Sequence, residues 1–291
     1  GDANSFGSNV TRTISSAFGQ FNYAYGDKYL VQASIRRDGS SRFGEDNRYG
    51  VFPSLSLGWR LSSEDFFNVP IISNLKPRFS IGTLGNQNID DYLFLATVSS
   101  NNGALNYPLG GESSQTPNIG TINRTLASYD IKWEESTTRN LGLDFGLLED
   151  QFTFTFDYFH SETEDMLVGV PVPATSGITV TPVTNGGSMT NKGWEMALTY
   201  KKIKGDFNFD ISGNITSSKN EITQLGFADE AFTSGHVIYD THPTTRTEVG
   251  RSIGEFYLFK TDGIFQSQAE IDAHGVQPNA KPGDLRFVDT D

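Results

Sequence analysis

Residues 140–158 read Asn-Leu-Gly-Leu-Asp-Phe-Gly-Leu-Leu-Glu-Asp-Gln-Phe-Thr-Phe-Thr-Phe-Asp-Tyr, and this stretch decides the fold class of the chain. Leucine or phenylalanine stands at every second position of 141–147, and the residues between them are small or polar. The same alternation runs through 152–158. A period of two is typical of a β-strand with two unlike faces. Because Glu149-Asp150 supplies turn residues between the two runs, the stretch predicts a β-hairpin.

Similar alternation recurs from one end of the chain to the other. Comparable runs lie at 29–37, 51–61, 194–200 and 209–216, and weaker ones lie near 16–25 and 75–85. The sequence therefore predicts an all-β chain of about eight antiparallel strands, each near the ~9 to 11 residues that a tilted strand needs to cross a bilayer.

The connections between these runs alternate in length. Short turns rich in Gly and Asp are expected at 26–28, 149–150 and 204–206, and a connection of medium length at 62–74 stands where a short turn is expected. Long loops are expected at about 38–48, 86–136, 164–190 and 219–291. A transmembrane barrel requires this alternation, because short turns face the periplasm and long loops face outward. We therefore expect the long loops to be extracellular.

Composition narrows the function classes. The 291 residues include no cysteine, which excludes thiolate metal sites and thiol nucleophiles. The net charge of −13 disfavours nucleic-acid binding. No apolar run approaches the ~18 to 20 residues of a membrane-spanning helix. The chain begins at Gly1 in polar material without an initiator methionine, so we expect it to be part of a longer protein.

Motifs for catalysis are not evident. The four histidines do not form an H-E-x-x-H or similarly spaced ligand pair, and no G-x-S-x-G motif stands between a strand and a helix. The sequence therefore predicts a protein that is not an enzyme. One metal-like feature is the alternation of Asp289 and Asp291, which matches the first half of a calcium loop. These two residues are candidate calcium ligands, with a plain acidic turn as the alternative.

Several motifs then point to one family. They include Tyr49-Gly50-Val51-Phe52-Pro53-Ser54-Leu55-Ser56-Leu57-Gly58-Trp59-Arg60, together with 27–30, 35–44, 132–137, 140–146, 157–159, 170–177, 191–195, 260–266 and 282–284. In this order, the motifs resemble the SusC/RagA-like TonB-dependent receptors of the Gram-negative outer membrane, and they cover most of the chain.

The resemblance implies the wall of a plugged transmembrane β-barrel of about 22 strands. Residues 1–291 would form a partial barrel domain, and neither the plug nor the TonB-interacting segment is in this sequence. The resemblance also implies multi-pass insertion in the outer-membrane lipid, energy from the TonB complex, and import of an oligosaccharide or peptide substrate with a SusD-like surface lipoprotein. It slightly strengthens the hypothesis of calcium near Asp289.

The expected site residues fall into two sets. Polar positions that alternate with the apolar ones would line the lumen or contact the plug: Arg36, Arg60, Asp144, Asp157, Glu195 and Asp210. Loop aromatics are candidates for stacking on sugar rings, with packing or partner contacts as the alternative: Tyr107, Tyr129 and Trp133.

Two other functions remain open on the sequence. An exported soluble β-sandwich or propeller that recognises carbohydrate would also alternate apolar and polar residues. A small passive barrel, complete in itself, would share the loop pattern.

Overall fold

A computed structural model of the chain describes residues 10–98, 120–123, 125–170, 172–178, 180–202, 207–226, 232–238, 242–274, 277 and 279–288. Within these ranges, eight strands form one antiparallel sheet in which each strand pairs with its neighbours in sequence. The strands are β1 (Ile14–Tyr25), β2 (Tyr29–Ser40), β3 (Tyr49–Trp59), β4 (Ile72–Asn86), β5 (Glu134–Leu147), β6 (Phe152–Gly169), β7 (Val183–Lys202) and β8 (Phe209–Leu225). The prediction of an antiparallel all-β wall is confirmed.

Cross-strand pairing keeps the two faces of the sheet distinct. Leu143 pairs with Phe156, Phe156 with Met196, and Met196 with Ile215, so these apolar side chains share one face across β5 to β8. Residues directly opposite each other in an antiparallel pair point to the same side. We call this the apolar face, and the opposite side, which carries Asp144, the polar face.

The connections follow the predicted alternation in length except at 60–71, which is longer than the 41–48 loop at the other end of the sheet. The turn from β1 to β2 has Gly26 and Asp27 at φ of 56° and 55°, and the turn from β5 to β6 has Leu148, Glu149 and Asp150 at 54°, 58° and 61°. Such left-handed residues match the twist of tight hairpins. The connection at 60–71 lies at the same end of the sheet, and the predicted turn at 204–206 lies outside the described residues.

The strands run further than the alternation indicated. β6 has 18 residues and β7 has 20, so the connection between them is 170–182 rather than 164–190. Likewise, the loops predicted at 38–48 and 86–136 span 41–48 and 87–133, and the first of them is short. On the apolar face of β6, Tyr158 is followed by His160 and Glu162, but backbone pairing continues because ladder hydrogen bonds do not depend on side-chain polarity.

Residues after β8 form small elements instead of a featureless loop. β9 (Phe232–Ile238), β10 (His242–Thr247) and β11 (Glu255–Phe256) make a three-stranded sheet, and β12 (Thr261–Ile264) pairs with β13 (Leu285–Phe287). The helix α1 spans Gln268–His274. Of the helices in the described ranges, none is long and apolar enough to cross a membrane.

Candidate functional site

The apolar face is uncovered along the whole sheet. Leu141, Leu198, Ile211 and Ile215 are 58%, 54%, 64% and 58% exposed, so no layer from the described residues packs on them. Aromatic rings lie at both ends of this face. Tyr29 stacks with Trp59 at 6.3 Å near the short turns, and Tyr158 pairs with Trp194 towards the long loops. An apolar band between two aromatic belts is the pattern of a surface in contact with lipid.

The polar face carries an ion network at the centre of the sheet. Arg78 on β4 contacts Asp144 on β5 at 2.9 Å and Asp157 on β6 at 3.0 Å. Lys76 contacts the other oxygen of Asp144 at 2.8 Å. One guanidinium therefore joins three neighbouring strands, and its planar set of donors suits two carboxylates at once.

The network fits because β5 has a glycine beneath the guanidinium. A Cβ atom at Gly142 would lie 2.7 Å from Arg78 Cζ and from Asp157 Oδ1, which is closer than heavy atoms pack. Side chains of the network are 18% to 32% exposed in this sheet. Charges that are this shielded and mutually paired are fixed in position better than surface ion pairs.

The six residues predicted to line the lumen do not all join this network. Asp144 and Asp157 belong to it, and Glu195 on β7 is the cross-strand partner of Asp157. Asp210 lies opposite Lys201 at the short-turn end of β7 and β8. These four residues share the polar face. The proposal that this face lines a lumen stays a prediction.

The other two predicted residues lie apart from the network. Arg36 is on the polar face of β2 and contacts Asp38 at 2.6 Å. Arg60 follows the last residue of β3, where its backbone N–H donates to the carbonyl of Lys28 at 2.7 Å. It therefore sits at the short-turn edge rather than within the wall.

Sequence reasoning missed Lys76 and Arg78. They alternate with Leu75, Pro77 and Phe79, so the period of two was available as a signal. The proline made the run look weak because it cannot donate to a ladder. In the structure Pro77 lies opposite Leu143 on the apolar face, which places both cations on the polar face.

The long connections bury a separate aromatic core at the opposite end of the sheet. Trp133 is 6% exposed, and its ring lies 5.1 Å from Phe43 and 5.4 Å from Phe52. Its indole N–H donates to the carbonyl of Arg48 at 3.1 Å. The expectation that Trp133 stacks on a sugar is wrong, because protein groups already cover its faces. It holds the loops 41–48 and 87–133 together.

The other loop aromatics remain candidates. Tyr129 is 68% exposed, four residues before the buried tryptophan, so its ring is free to meet a ligand or partner. Tyr107 lies outside the described residues. Stacking of either ring on a sugar stays a prediction.

A polar cluster closes the short-turn end beside the aromatic belt. Trp59 donates its indole N–H to Glu64 at 2.9 Å, and Lys28 Nζ contacts the second carboxylate oxygen at 3.2 Å. The hydrogen bond from Trp59 is the main reason why the pKa of Glu64 lies below its usual value, and hydrogen bonds from Tyr29 and then Lys28 lower it further. Asp65 and Glu64 in turn raise the pKa of Lys28.

Metal binding is not tested by the described residues. Across these ranges, no three His, Asp or Glu side chains are grouped to hold a metal ion. Asp289 and Asp291 lie outside the described residues, so the calcium hypothesis stays a prediction.

Comparison with known sequences gives one family for most of the chain. The family described as "TonB dependent receptor-like, beta-barrel" matches residues 1–251. TonB-dependent receptor SusC of Bacteroides thetaiotaomicron is 40% identical over 222 residues, which are 75% of this chain and 22% of that protein. TonB-dependent receptor P39 of Formosa agariphila is 34% identical over 259 residues, which are 88% of this chain and 23% of that protein.

Solved structures agree with the sequence matches. The RagAB peptide transporter has a TM-score of 0.72 and 28% identity, over 88% of this chain and 26% of the matched chain. The RagAB peptide importer in its "open-open" state has a TM-score of 0.72 and 27% identity, with the same coverage of both chains. The chain thus spans about a quarter of the length of the proteins it resembles.

Proposed function

The chain belongs to the TonB-dependent receptor-like β-barrel family, and we propose that it forms part of the wall of an outer-membrane importer. The whole protein would take up glycans or peptides with energy from TonB and with a SusD-like lipoprotein over its long loops. The family is one of transport receptors, so a catalytic role is not part of the proposal.

One observation carries this proposal: a single sheet has an uncovered apolar face and a polar face that holds an ion network. Leu198 and Ile211 are 54% and 64% exposed, whereas Arg78 on the other side is paired with two carboxylates. Lipid on one side and a polar interior on the other would satisfy both faces. The short turns at Gly26 and Glu149 would then face the periplasm.

Both rival functions fit this arrangement less well. In a β-sandwich, a second sheet would cover the apolar face. In a small closed barrel, β1 would pair with β8, but in the described residues these strands are the two edges of the sheet. Open edges are not stable in lipid. Strands outside this sequence would therefore complete the wall.

Identity to SusC and similarity to RagAB support the proposed substrates and partner. The lipoprotein would meet the long loops, where β6 and β7 extend past the apolar band by several ladder pairs. The polar face, with Asp144, Asp157 and Glu195, would line the lumen or contact the plug.

Uptake by the full-length protein tests the proposal. Cells that carry the full-length gene and a gene for a SusD-like lipoprotein are given fluorescent oligosaccharides and fluorescent peptides, with and without a functional TonB. We expect uptake of one class, lost without TonB. Uptake that does not depend on TonB would favour a passive barrel, and recovery of the protein without detergent would favour a soluble module.

A further inference from the structure

A row of basic side chains borders the apolar face towards the long loops. Arg139 on β5 pairs with His160 on β6, His160 with Lys192 on β7, and Lys192 with Lys219 on β8. We call these four residues the basic row. Neighbouring strands lie ~4.8 Å apart, so their backbones span ~14 Å across four strands.

The basic row begins where the apolar band ends. On β5, β6 and β7 the apolar residue that borders the row is Leu141, Tyr158 or Trp194, and the next residue on the same face is Arg139, His160 or Lys192 respectively. On β8 a small residue, Ser217, comes before Lys219. A bilayer in contact with the apolar band would therefore place its headgroups at this row.

The cations of the row are accessible. The side chains of Arg139 and Lys219 are 47% and 68% exposed. Lys192 is exposed and makes no ion pair or side-chain hydrogen bond within the described part of the chain. An exposed lysine without a partner has its full charge available to a ligand.

Two carboxylates lie beyond the row, further from the apolar band. Glu162 contacts Arg139 at 2.9 Å and His160 at 3.1 Å, and Glu221 lies 3.8 Å from Lys219. They screen part of the positive charge, yet the cations remain nearer to the apolar band. The chain has a net charge of −13, yet all four positions of the row on β5 to β8 are basic. Such a local excess of positive charge favours an anionic ligand.

We propose that Arg139, Lys192 and Lys219 bind the phosphate groups of anionic lipids around the outer wall of the barrel. This inference rests on the proposed function, because it needs the apolar face to lie in a membrane. The apolar band would hold the acyl chains, and the row would hold the headgroup phosphates just above them. Basic clusters beside a membrane-embedded surface attract anionic headgroups in this way.

Native mass spectrometry of the full-length protein tests the site. The probe is phosphatidylglycerol, compared with zwitterionic phosphatidylcholine and with inorganic phosphate. The variant Arg139→Gln/Lys192→Gln/Lys219→Gln removes the cations. The control Arg251→Gln/Lys260→Gln/Lys281→Gln makes the same charge change in exposed residues beyond β8. A second variant, Arg139→Lys/Lys192→Arg/Lys219→Arg, keeps the charges.

We expect the unaltered protein, the control and the charge-keeping variant to bind phosphatidylglycerol alike. The first variant should bind phosphatidylglycerol at least about tenfold more weakly. The loss should stay below the ~100-fold expected for three unscreened cations, because the carboxylates screen part of their charge. Added salt should weaken binding to the unaltered protein.

Two results would overturn the site. One is equal binding of phosphatidylglycerol by the unaltered protein and the variant without cations. The other is binding of inorganic phosphate as tight as that of the lipid, which would make it a free-phosphate site. If the unaltered protein needs detergent for solubility but gives either of these two results, only the lipid site is wrong. If it dissolves without detergent, the transporter proposal fails with it.

Discussion

The guanidinium of Arg78 lies directly over the backbone of Gly142 on the neighbouring strand, where an added Cβ atom would be 2.7 Å from its Cζ. The absent side chain leaves the space through which Arg78 reaches Asp157, two strands away. A glycine in the strand interior weakens local strand preference. Here that cost accompanies an ion network that ties β4, β5 and β6 together.

Replacing this glycine should loosen the network. We expect Gly142→Ala to lower the free energy of unfolding by about 1 to 3 kcal/mol, because the new methyl group displaces a paired side chain. Gly213→Ala is the control, since an added Cβ there meets no atom within 4 Å. It should stay within about 0.5 kcal/mol of the unaltered protein. Urea unfolding of the full-length protein in lipid vesicles measures both, and equal losses would contradict the packing seen at Gly142.

The two faces of β7 can be separated by neighbouring substitutions. Leu198 is on the apolar face and Ala197 is on the polar face, and both are exposed in this sheet. If the apolar face meets lipid, Leu198→Arg should cost about 2 to 4 kcal/mol near the midplane, against much less for Ala197→Arg. Refolding titrations into vesicles compare them. Losses of similar size at both positions would refute the assignment of faces.

The aromatic loop core should differ sharply from the exposed loop aromatic. Trp133→Ala removes a ring packed on Phe43 and Phe52, and we expect a loss of about 3 to 5 kcal/mol. Tyr129→Ala should change stability by less than about 0.5 kcal/mol. Limited proteolysis of the 87–133 connection reports loop integrity. Resistance to cleavage in Trp133→Ala would show that the core is not needed to order the loop.

The cluster at Glu64 should make stability depend on pH. Its pKa is lowered in the folded protein, so its contribution is present above the unfolded value of about 4.3 and is lost as pH falls through the lower folded value. Glu64→Gln should therefore destabilise at neutral pH, and the difference from the unaltered protein should shrink below about pH 4. Thermal unfolding against pH measures this.

A neighbouring carboxylate provides the control for that titration. Asp65 is fully exposed although it lies 3.2 Å from Lys28, so Asp65→Asn should have little effect at any pH. If Glu64→Gln and the unaltered protein differ in stability as much in acid as at neutral pH, the ionisation of Glu64 does not cause the difference.

The amino-acid sequence by itself determined that about eight strands form, which two faces they have and where the tight turns at 26–28 and 149–150 lie. Alternation in 141–147 and 152–158 is a local property, since successive side chains of any strand point to opposite sides. Turns such as Glu149-Asp150 are also local, because they depend on residues that tolerate left-handed backbone angles. The polar face with Asp144 and Asp157 followed directly from this period.

Only the tertiary structure decided which of these residues meet. Arg78 and Asp157 are 79 positions apart in sequence, and their contact depends on the register of three strands. By pattern, Trp133 could stack on a sugar or pack within the protein, and the structure buries it because its ring packs on Phe43 and Phe52. The basic row likewise exists only once β5 to β8 are in register. Such contacts are set by the sum of many pairings between distant segments, which no local pattern encodes.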